Sequence, residues 1–496
     1  MMVFRSALAR VLAGALVLAP LAGAPVSAQV PQTQATPFPA MTPLPVPTAS
    51  GTPIPYPAYG TPAPDVAQQA PKAGVPTTVS LQQAVDIAVM LSPAFATQRA
   101  QYNAIFAKYG AEQGALFPSL SAEGTITRTY GNGTTNGTSG TSTPAPGSLN
   151  NVITTENGHV SIEQLIFDGG QAIAAIRSAK EASVAGKDTL VRDLQTLAYN
   201  VATAYYNLLQ DQATVVADNS IVREDQTQEN YVIAQIKTGA AARSDLAAAQ
   251  FATAQAKGAL VTAQGAVIAG QATFATTLGL DADAEVNPQV QSNQPPVKTL
   301  TYQQAVALAL QIRPDYLAAE HTVTSDFQNV RYAKLARMPQ ITANGSTGTS
   351  RLLISNPPVA SAWAPTGQLG ATVNLPIYDQ GLTNYNIAVA VSEYDQALAN
   401  LTATKQTVES NVRGALAQLI SARASFVQAQ AELQSAQVAA QATSARYRVG
   451  AASITDITTA DANLATAQRD YVAAEYSELL YEANYDYAVG NSDLKL

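Results

Sequence analysis

Residues 165–170 read LIFDGG, and residues 375–381 read LPIYDQG. Each is an apolar run, an aromatic, an Asp and a Gly in the same order, with Asp168 and Asp379 standing 211 positions apart. This order marks the passage of a strand into a helix. An Asp accepts hydrogen bonds from the free N–H groups of a first helical turn, and a Gly relaxes the backbone beside it. Phe167, Asp168 and Gly170 in one stretch, and Tyr378, Asp379 and Gly381 in the other, are therefore expected at strand-to-helix junctions.

The flanks repeat as well. Toward the N-terminus, VSLQQAVDIAVMLSPAF from Val79 aligns with LTYQQAVALALQIRPDY at a spacing of 221, and Pro118 falls on Pro339 at the same spacing. From Asp168 onward the spacing is 211: Gly239 falls on Gly450 and Asp245 on Asp456. The ten-residue difference is confined to the Gly/Ser/Thr-rich stretch between Pro118 and Asp168, as expected of a surface loop. The chain divides into repeat 1 (residues 77–280), a linker (281–298), repeat 2 (299–490) and a tail (491–496).

Periodicity changes in a fixed order within each repeat. A helical pattern, with Leu81, Val85, Ala88, Ile105 and Tyr109 on repeating turns, runs from Thr78 to about Gly114, and Pro118 ends it. Alternation follows: Leu120, Ala122, Gly124 and Ile126 interleave with polar residues, as do Leu369, Ala371, Val373 and Leu375 in the second repeat. Such period-two runs are strands, and the turn-rich loop within each repeat makes the pair a hairpin. No Pro then occurs from Gln171 to Lys237 or from Leu382 to Val449. A helix of about 67 residues is on the order of 100 Å long and needs a partner along its length. Leu197, Val201, Ala204, Leu208, Val215 and Val222, matched by Val408, Val412, Ala415, Leu419, Phe426 and Leu433, make a heptad seam. Each long helix is expected to stop at a Gly, Gly239 or Gly450, and a second helix returns, Ser244–Leu278 or Thr455–Val489.

The ends of the chain place it in the cell. Arg5 and Arg10 precede the apolar run VLAGALVLAPLAGAPV, which closes at Val26-Ser27-Ala28. Residues 1–28 are thus a secretory signal peptide cut after Ala28, the run being short of the ~20 residues of a span and broken by Pro20. Residues 29–76 form a Pro-rich disordered leader, a linker or a recognition tail. The chain has no Cys, so neither a lipidated N-terminal Cys nor a disulfide is available. Only 12% of residues are charged and the net charge is -8, which leaves no basic footprint for nucleic acid.

No later stretch is apolar enough for a transmembrane helix, so membrane insertion would require strands. Four strands cannot close a barrel, and hydrocarbon does not tolerate an open sheet edge. Several protomers must then share one barrel. Two copies would give a plugged interior and three a passage of about twelve strands.

The two starts, the helix ends FPSL and MPQI, the junctions LIFDGG and LPIYDQG and the tips KTGAAARSDL and YRVGAASITDI, in this order twice, resemble the TolC-like outer membrane efflux protein family, also called outer membrane factors. The resemblance covers Val79 to about Gly490. It implies an internally duplicated α+β membrane protein: a homotrimer with four strands and long coiled-coil helices per protomer, its 12-stranded β-barrel continuous with a periplasmic α-barrel. It further implies a cell outer membrane location in a Gram-negative bacterium, contact with outer membrane lipid, and docking of a periplasmic adaptor protein and an inner-membrane transporter at the hairpin tips around Gly239, Gly450, Arg243 and Arg448. In the resembling channels an Asp six residues after the tip Gly contributes to a ring at the periplasmic entrance. Asp456 matches it, Asp245 parallels it, and Tyr447 matches an aromatic at the constriction.

Three symmetric Asp456 carboxylates would gather cations and raise some of one another's pKa values. A plain helix cap is the other reading of Asp245 and Asp456. Likewise Phe167 and Tyr378 fit either an interfacial aromatic belt or packing at the barrel junction. Two family positions differ here, Thr459 for a carboxylate and Ala452 for a basic residue, with Arg243, Arg446 and Arg448 nearby. No catalytic, cofactor or metal constellation stands out: His159 and His321 lack ligand spacing, and there is no G-x-S-x-G elbow or phosphate loop. The expected function is an exit duct of a tripartite efflux pump for small molecules, not an enzyme. The alternatives are the exit duct of a type I protein secretion system and a structural periplasmic coiled coil or adaptor without membrane strands.

Overall fold

In the computed structural model, residues 77–131, 151–289, 300–355 and 358–491 are described. The signal peptide, the Pro-rich leader, part of the linker and almost all of the tail lie outside these residues. The repeated QQAV starts are capping boxes. Ser80 Oγ accepts from Gln83 N while Gln83 Oε1 accepts from Ser80 N at 3.0 Å, opening α1 (Leu81–Leu91). Thr301 and Gln304 repeat the return arm at 3.2 Å, opening α5 (Tyr302–Ile312). Serine or threonine followed three residues on by Gln thus satisfies helix donors that have no partner within the helix.

The sequence predicts one helix from Thr78 to about Gly114, and the structure divides it. Thr78–Val79 is a short strand, β1, paired in parallel with β4 (Asn287–Pro288), and α1 gives way at Ser92 to α2 (Pro93–Gly114). Repeat 2 breaks in the same way at Arg313, before α6 (Pro314–Leu335). Proline pushes the residue before it out of the α region, and Ser92 (ψ 118°) and Arg313 (ψ 120°) are extended accordingly. Each proline then starts the next helix, where a missing N–H costs nothing.

Four long antiparallel strands follow, β2 (Ser119–Gly131), β3 (Asn151–Phe167), β5 (Gln340–Ser355) and β7 (Ala364–Asn374), with the three-residue β6 (Pro358–Ala360) also against β5. The order β2-β3-β5-β7 leaves one edge of β2 and one edge of β7 without a strand partner among the described residues. Leu375, expected within the last strand, lies beyond it: Pro376 has no N–H for a ladder, and β7 stops at Asn374.

The long helices are α3 (Gln171–Thr238, 68 residues) and α7 (Leu382–Arg448, 67 residues), with α4 (Arg243–Thr277) and α8 (Ile454–Val489) returning. Val201, Leu208, Val408, Val412 and Leu419 of the predicted seam are fully buried, each worth roughly 1.5–3 kcal/mol against exposure. The first helix of each repeat packs on its own pair: α1 joins a core with Tyr205, Leu208 and Phe274, and α5 one with Val408, Leu419 and Tyr485. The two hairpins meet along α3 and α8.

At the junctions, Asp168 accepts from Gly170 N (2.8 Å) and Ala172 N, and Asp379 from Gly381 N (3.1 Å) and Thr383 N (2.8 Å). Donors from Thr383 and Gly381 hold the half-buried Asp379 carboxyl below its usual range. Gly170 and Gly381 are left-handed (φ 92° and 87°). The residue before each differs. Gly169 (φ 69°) presses on Met338, where a Cβ would stand 2.4 Å from the Met338 Cβ, whereas its counterpart Gln380 adopts φ 59° with a side chain.

Arg313, 1% exposed, pins the end of α8. It donates to Asp315 through Nε (3.0 Å) and Nη2 (2.6 Å), and to the Ala488 carbonyl (2.9 Å). Burial alone would push the Asp315 carboxyl up; the Arg313 guanidinium holds it below its ordinary value.

Gln380→Gly should relieve left-handed strain and stabilise the chain by about 0.5–1 kcal/mol, raising the unfolding midpoint in detergent, whereas Gly169→Ala should lower it. Arg313→Ala leaves the half-buried Asp315 carboxylate with only Arg192 as a cation, 3.8 Å away, and frees the Ala488 carbonyl; it should cost about 1–3 kcal/mol, read as faster amide exchange over residues 482–490 than in the native chain.

Candidate functional site

The sheet register sorts its side chains into two faces. On one, Ser121, Glu123, Thr125 and Thr127 of β2 stand opposite Ser161, His159, Asn157 and Thr155 of β3, which face Ser346, Gly348, Ser350 and Leu352 of β5. On the other, Leu120 and Ala122 stand opposite Ile162 and Val160, with Gly345, Leu369, Ala371 and Val373 beyond. One face is hydrophilic and the other, over its junction-proximal half, apolar and exposed: Leu120 is 73% and Leu369 89% accessible. Toward the far end of the apolar face Arg351 pairs with Glu156 and lies 4.9 Å from the Trp363 ring centroid.

Phe167 reaches the apolar face through a bulge. The register shifts between Leu165 and Phe167, so Phe167 pairs with Ile341 rather than staying on the face of Glu163 and Leu165. Phe167 and Tyr378 are both exposed, at 45% and 86%. Neither packs into the core of this chain.

At the opposite end, each hairpin turns on a left-handed glycine, Gly239 (φ 76°) and Gly450 (φ 77°). The residue after each donates back across the turn, Ala240 N to Gln235 O and Ala451 N to Arg446 O, both at 2.8 Å, which closes the orphan carbonyls. Asp245 and Asp456 both cap the returning helices. Asp456 Oδ2 accepts from Ser453 N (2.8 Å) and Ser453 Oγ (2.9 Å), and Ser453 Oγ accepts from Asp456 N. Asp245 accepts from Ala242 N at 3.1 Å, but Ala242 has no side-chain oxygen to complete the box. The backbone and hydroxyl donors of Ser453 hold the exposed Asp456 carboxyl below its usual range. Within one chain this runs opposite to the rise expected of a crowded ring.

Tyr447 points into the protein. It is 8% exposed, in a cluster with Val232, Ala249, Ile454 and Ile457, and its ring meets Tyr231 edge-on at 6.0 Å. Burial and then the neighbouring Asp245 charge push its phenol up. The tyrosine therefore binds hairpin 2 to hairpin 1. Arg243, Arg446 and Arg448 are exposed, and among the described residues none of them forms an ion pair within the chain.

A second polar group lies above the tips and was not singled out from the sequence. Asp218 (2% exposed) accepts from Arg469 Nε at 2.7 Å, joining α3 to α8, and Asp225 (8% exposed) lies one heptad nearer the tip. Its signal was legible: Asp211, Asp218 and Asp225 continue the seven-residue series of Leu197 and Ala204, so they are acids in core positions. Among the described residues no group of three His, Cys, Asp or Glu side chains is placed to hold a metal, and no helix is long and apolar enough to cross a membrane.

Comparison with known proteins agrees with this architecture. The family model described as outer membrane efflux protein matches residues 84–280 and 305–491. The outer membrane efflux protein BepC of Brucella suis is 26% identical over 318 residues, 64% of this chain and 68% of BepC. The outer membrane protein OprJ of Pseudomonas aeruginosa is 29% identical over 173 residues, 35% of this chain and 36% of OprJ, so the match spans about a third of that relative's length. Among solved structures, a membrane protein of Pseudomonas aeruginosa superposes with a TM-score of 0.70 at 20% identity, covering 83% of this chain and 93% of that one. CusC gives 0.70 at 19% identity, covering 83% and 92%. These likenesses concern the fold. With both halves of the duplication matched, the chain belongs to the outer membrane efflux protein family, a TolC-like transport family of the Gram-negative outer membrane.

Proposed function

We propose that three copies of this chain close one β-barrel of about twelve strands, continue it as a helical barrel into the periplasm, and serve as the exit duct of a tripartite pump that expels small molecules. One observation carries the reading: among the described residues β2 and β7 each keep an edge unpaired, while the sheet between them has one hydrophilic and one apolar face. Hydrocarbon leaves unpaired N–H and C=O groups unsatisfied, so each edge needs a neighbour's strand. The face of Glu123, His159 and Thr125 then lines the passage, and that of Leu120, Leu369 and Phe167 meets lipid. A structural coiled coil or adaptor has no use for such a sheet.

Helices on the order of 100 Å carry the passage away from the membrane. At their ends Asp456 and Asp245 ring the entrance, and the exposed Arg243 and Arg448 beside Gly239 and Gly450 form the surface on which a periplasmic adaptor docks. An inner-membrane transporter supplies the energy. Tyr447, buried between the tips, narrows the mouth by keeping the hairpins together.

Purified in detergent, the protein should have the mass of three chains and conduct ions in planar bilayers. Absence of channels, including from Asp456→Ala, would remove the duct reading. In the native channel, the lowered Asp456 carboxyl is ionised above its unfolded value of about 3.9 and loses its charge only as pH falls through the lower folded value. Cation preference should therefore persist down to about pH 4 and decline below it, whereas Asp456→Ala should weaken that preference wherever the native carboxyl is ionised and match the native channel at the acid end.

A further inference from the structure

The seam between the two helical hairpins contains a carboxylate pair that the duct reading does not use. Asp225 of α3 and Asp461 of α8 line one groove of about 540 Å³, with Phe251 and Gln255 of α4 and Thr458 of α8 on its walls. Asp225 is 8% exposed and, among the described residues, neither accepts a hydrogen bond nor joins an ion pair. One turn on, the Nε2 of Gln228 is also buried without a hydrogen-bond partner.

The surrounding charges deepen the imbalance. From α3 the neighbours are Asp218 and, on the exposed rim, Glu224 beside Arg223; from α8 the charged lining residue is Arg469, whose Nε is taken by Asp218. The α4 residues lining the groove are uncharged, and α7 contributes none. Neither carboxylate lining this half-dry groove forms an ion pair among the described residues, although Arg469 lines it as well, and no group of three ligands is placed there to hold a metal. A proton is the ligand that remains. Both carboxyls are pushed up to about 6, first by burial and then by acids beside them, Glu224 for Asp225, and Asp225 followed by Glu224 for Asp461.

We propose that Asp225 and Asp461 form a proton-operated latch between the hairpins: protonated, they let α3 and α8 close the seam, and ionised, they drive hairpin 2 away from hairpin 1. Asp225 stands 14 residues before Gly239, or about 21 Å along the helix, so a small parting there is levered into the tip cluster around Tyr447. The sign follows from linkage. A carboxyl raised in the packed state binds its proton more tightly there than when the seam is open, so packing is fully favoured below about pH 4 and weakens as pH rises through about 6. This inference concerns geometry within one chain and stands apart from the duct reading.

The chain has no native Cys, so a spin-label pair at Thr238→Cys and Val449→Cys reports one distance between the hairpin tips. Labelled chain is diluted in excess unlabelled chain, and distances are measured by pulsed electron resonance from pH 4.5 to pH 8. The closed-to-parted ratio should fall with a midpoint near pH 6, by up to about a hundredfold for each carboxyl that titrates. Asp225→Asn with Asp461→Asn should keep the short distance at both extremes. Asp461→Asn alone, which spares the more buried Asp225, should at least halve the change on a logarithmic scale. A distance independent of pH in the native chain, or an unaltered pH response in either Asn variant, overturns the latch.

Discussion

A helix of 67 or 68 residues cannot stand alone in water, and the rest of this molecule depends on how that requirement is met. Every turn of α3 and α7 needs a neighbour, and the sequence supplies it first within each repeat, where α4 and α8 fold back. Small residues make the approach close. Ala249, Ala256, Ala422, Ala429 and Ala467 are buried along the helices, so affinity comes from contact length rather than from large side chains. The same economy explains the low charge content: few long charged side chains can be placed where helices touch on several sides.

The strands obey a parallel constraint with a different solution. Among the described residues the sheet satisfies its interior ladders but leaves β2 and β7 without a partner at their outer edges. Rods that gain from lateral neighbours and a sheet with open edges are both served by the assembly proposed above, more copies around one axis. The junctions keep the two halves aligned. Asp168 and Asp379 fasten the first helical turn immediately after the strand, and the bulge before Phe167 turns that ring from the hydrophilic face to the apolar one.

Much of this was legible because it is local. A Gly ends a long helix by adopting φ near +76°, a Ser or Thr with Gln three residues on opens one, and a Pro breaks one, all within a single turn of chain. The break at Ser92 shows the limit: the helical periodicity runs through Pro93, and only the backbone geometry before a proline ends α1 there. The sheet register, the bulge at Ile166 and the turning of Tyr447 into the protein depend on partners far away in sequence. Asp225 and Asp461 lie 236 positions apart, and no pattern in either segment names the other. What the sequence did carry was an acid at every seventh residue of one seam, a sign that those positions face something other than hydrocarbon side chains.

The two repeats diverge at that point, and the divergence is physically informative. Positions Asp211, Asp218 and Asp225 in repeat 1 fall on Ala422, Ala429 and Ala436 in repeat 2. Ala422 and Ala429 are buried, as the seam requires. Three carboxylates in the equivalent series weaken the α3 side by the cost of removing charge from water, and only Asp218 is offset by a guanidinium. Duplication alone would give two equal hairpins. Of the three, Asp211 approaches Gly270 of α4 within hairpin 1, whereas Asp218 reaches Arg469 of α8 and Asp225 shares a groove with Asp461, so the charge cost at the seam between hairpins falls on Asp218 and Asp225, where the proposed latch parts the tips.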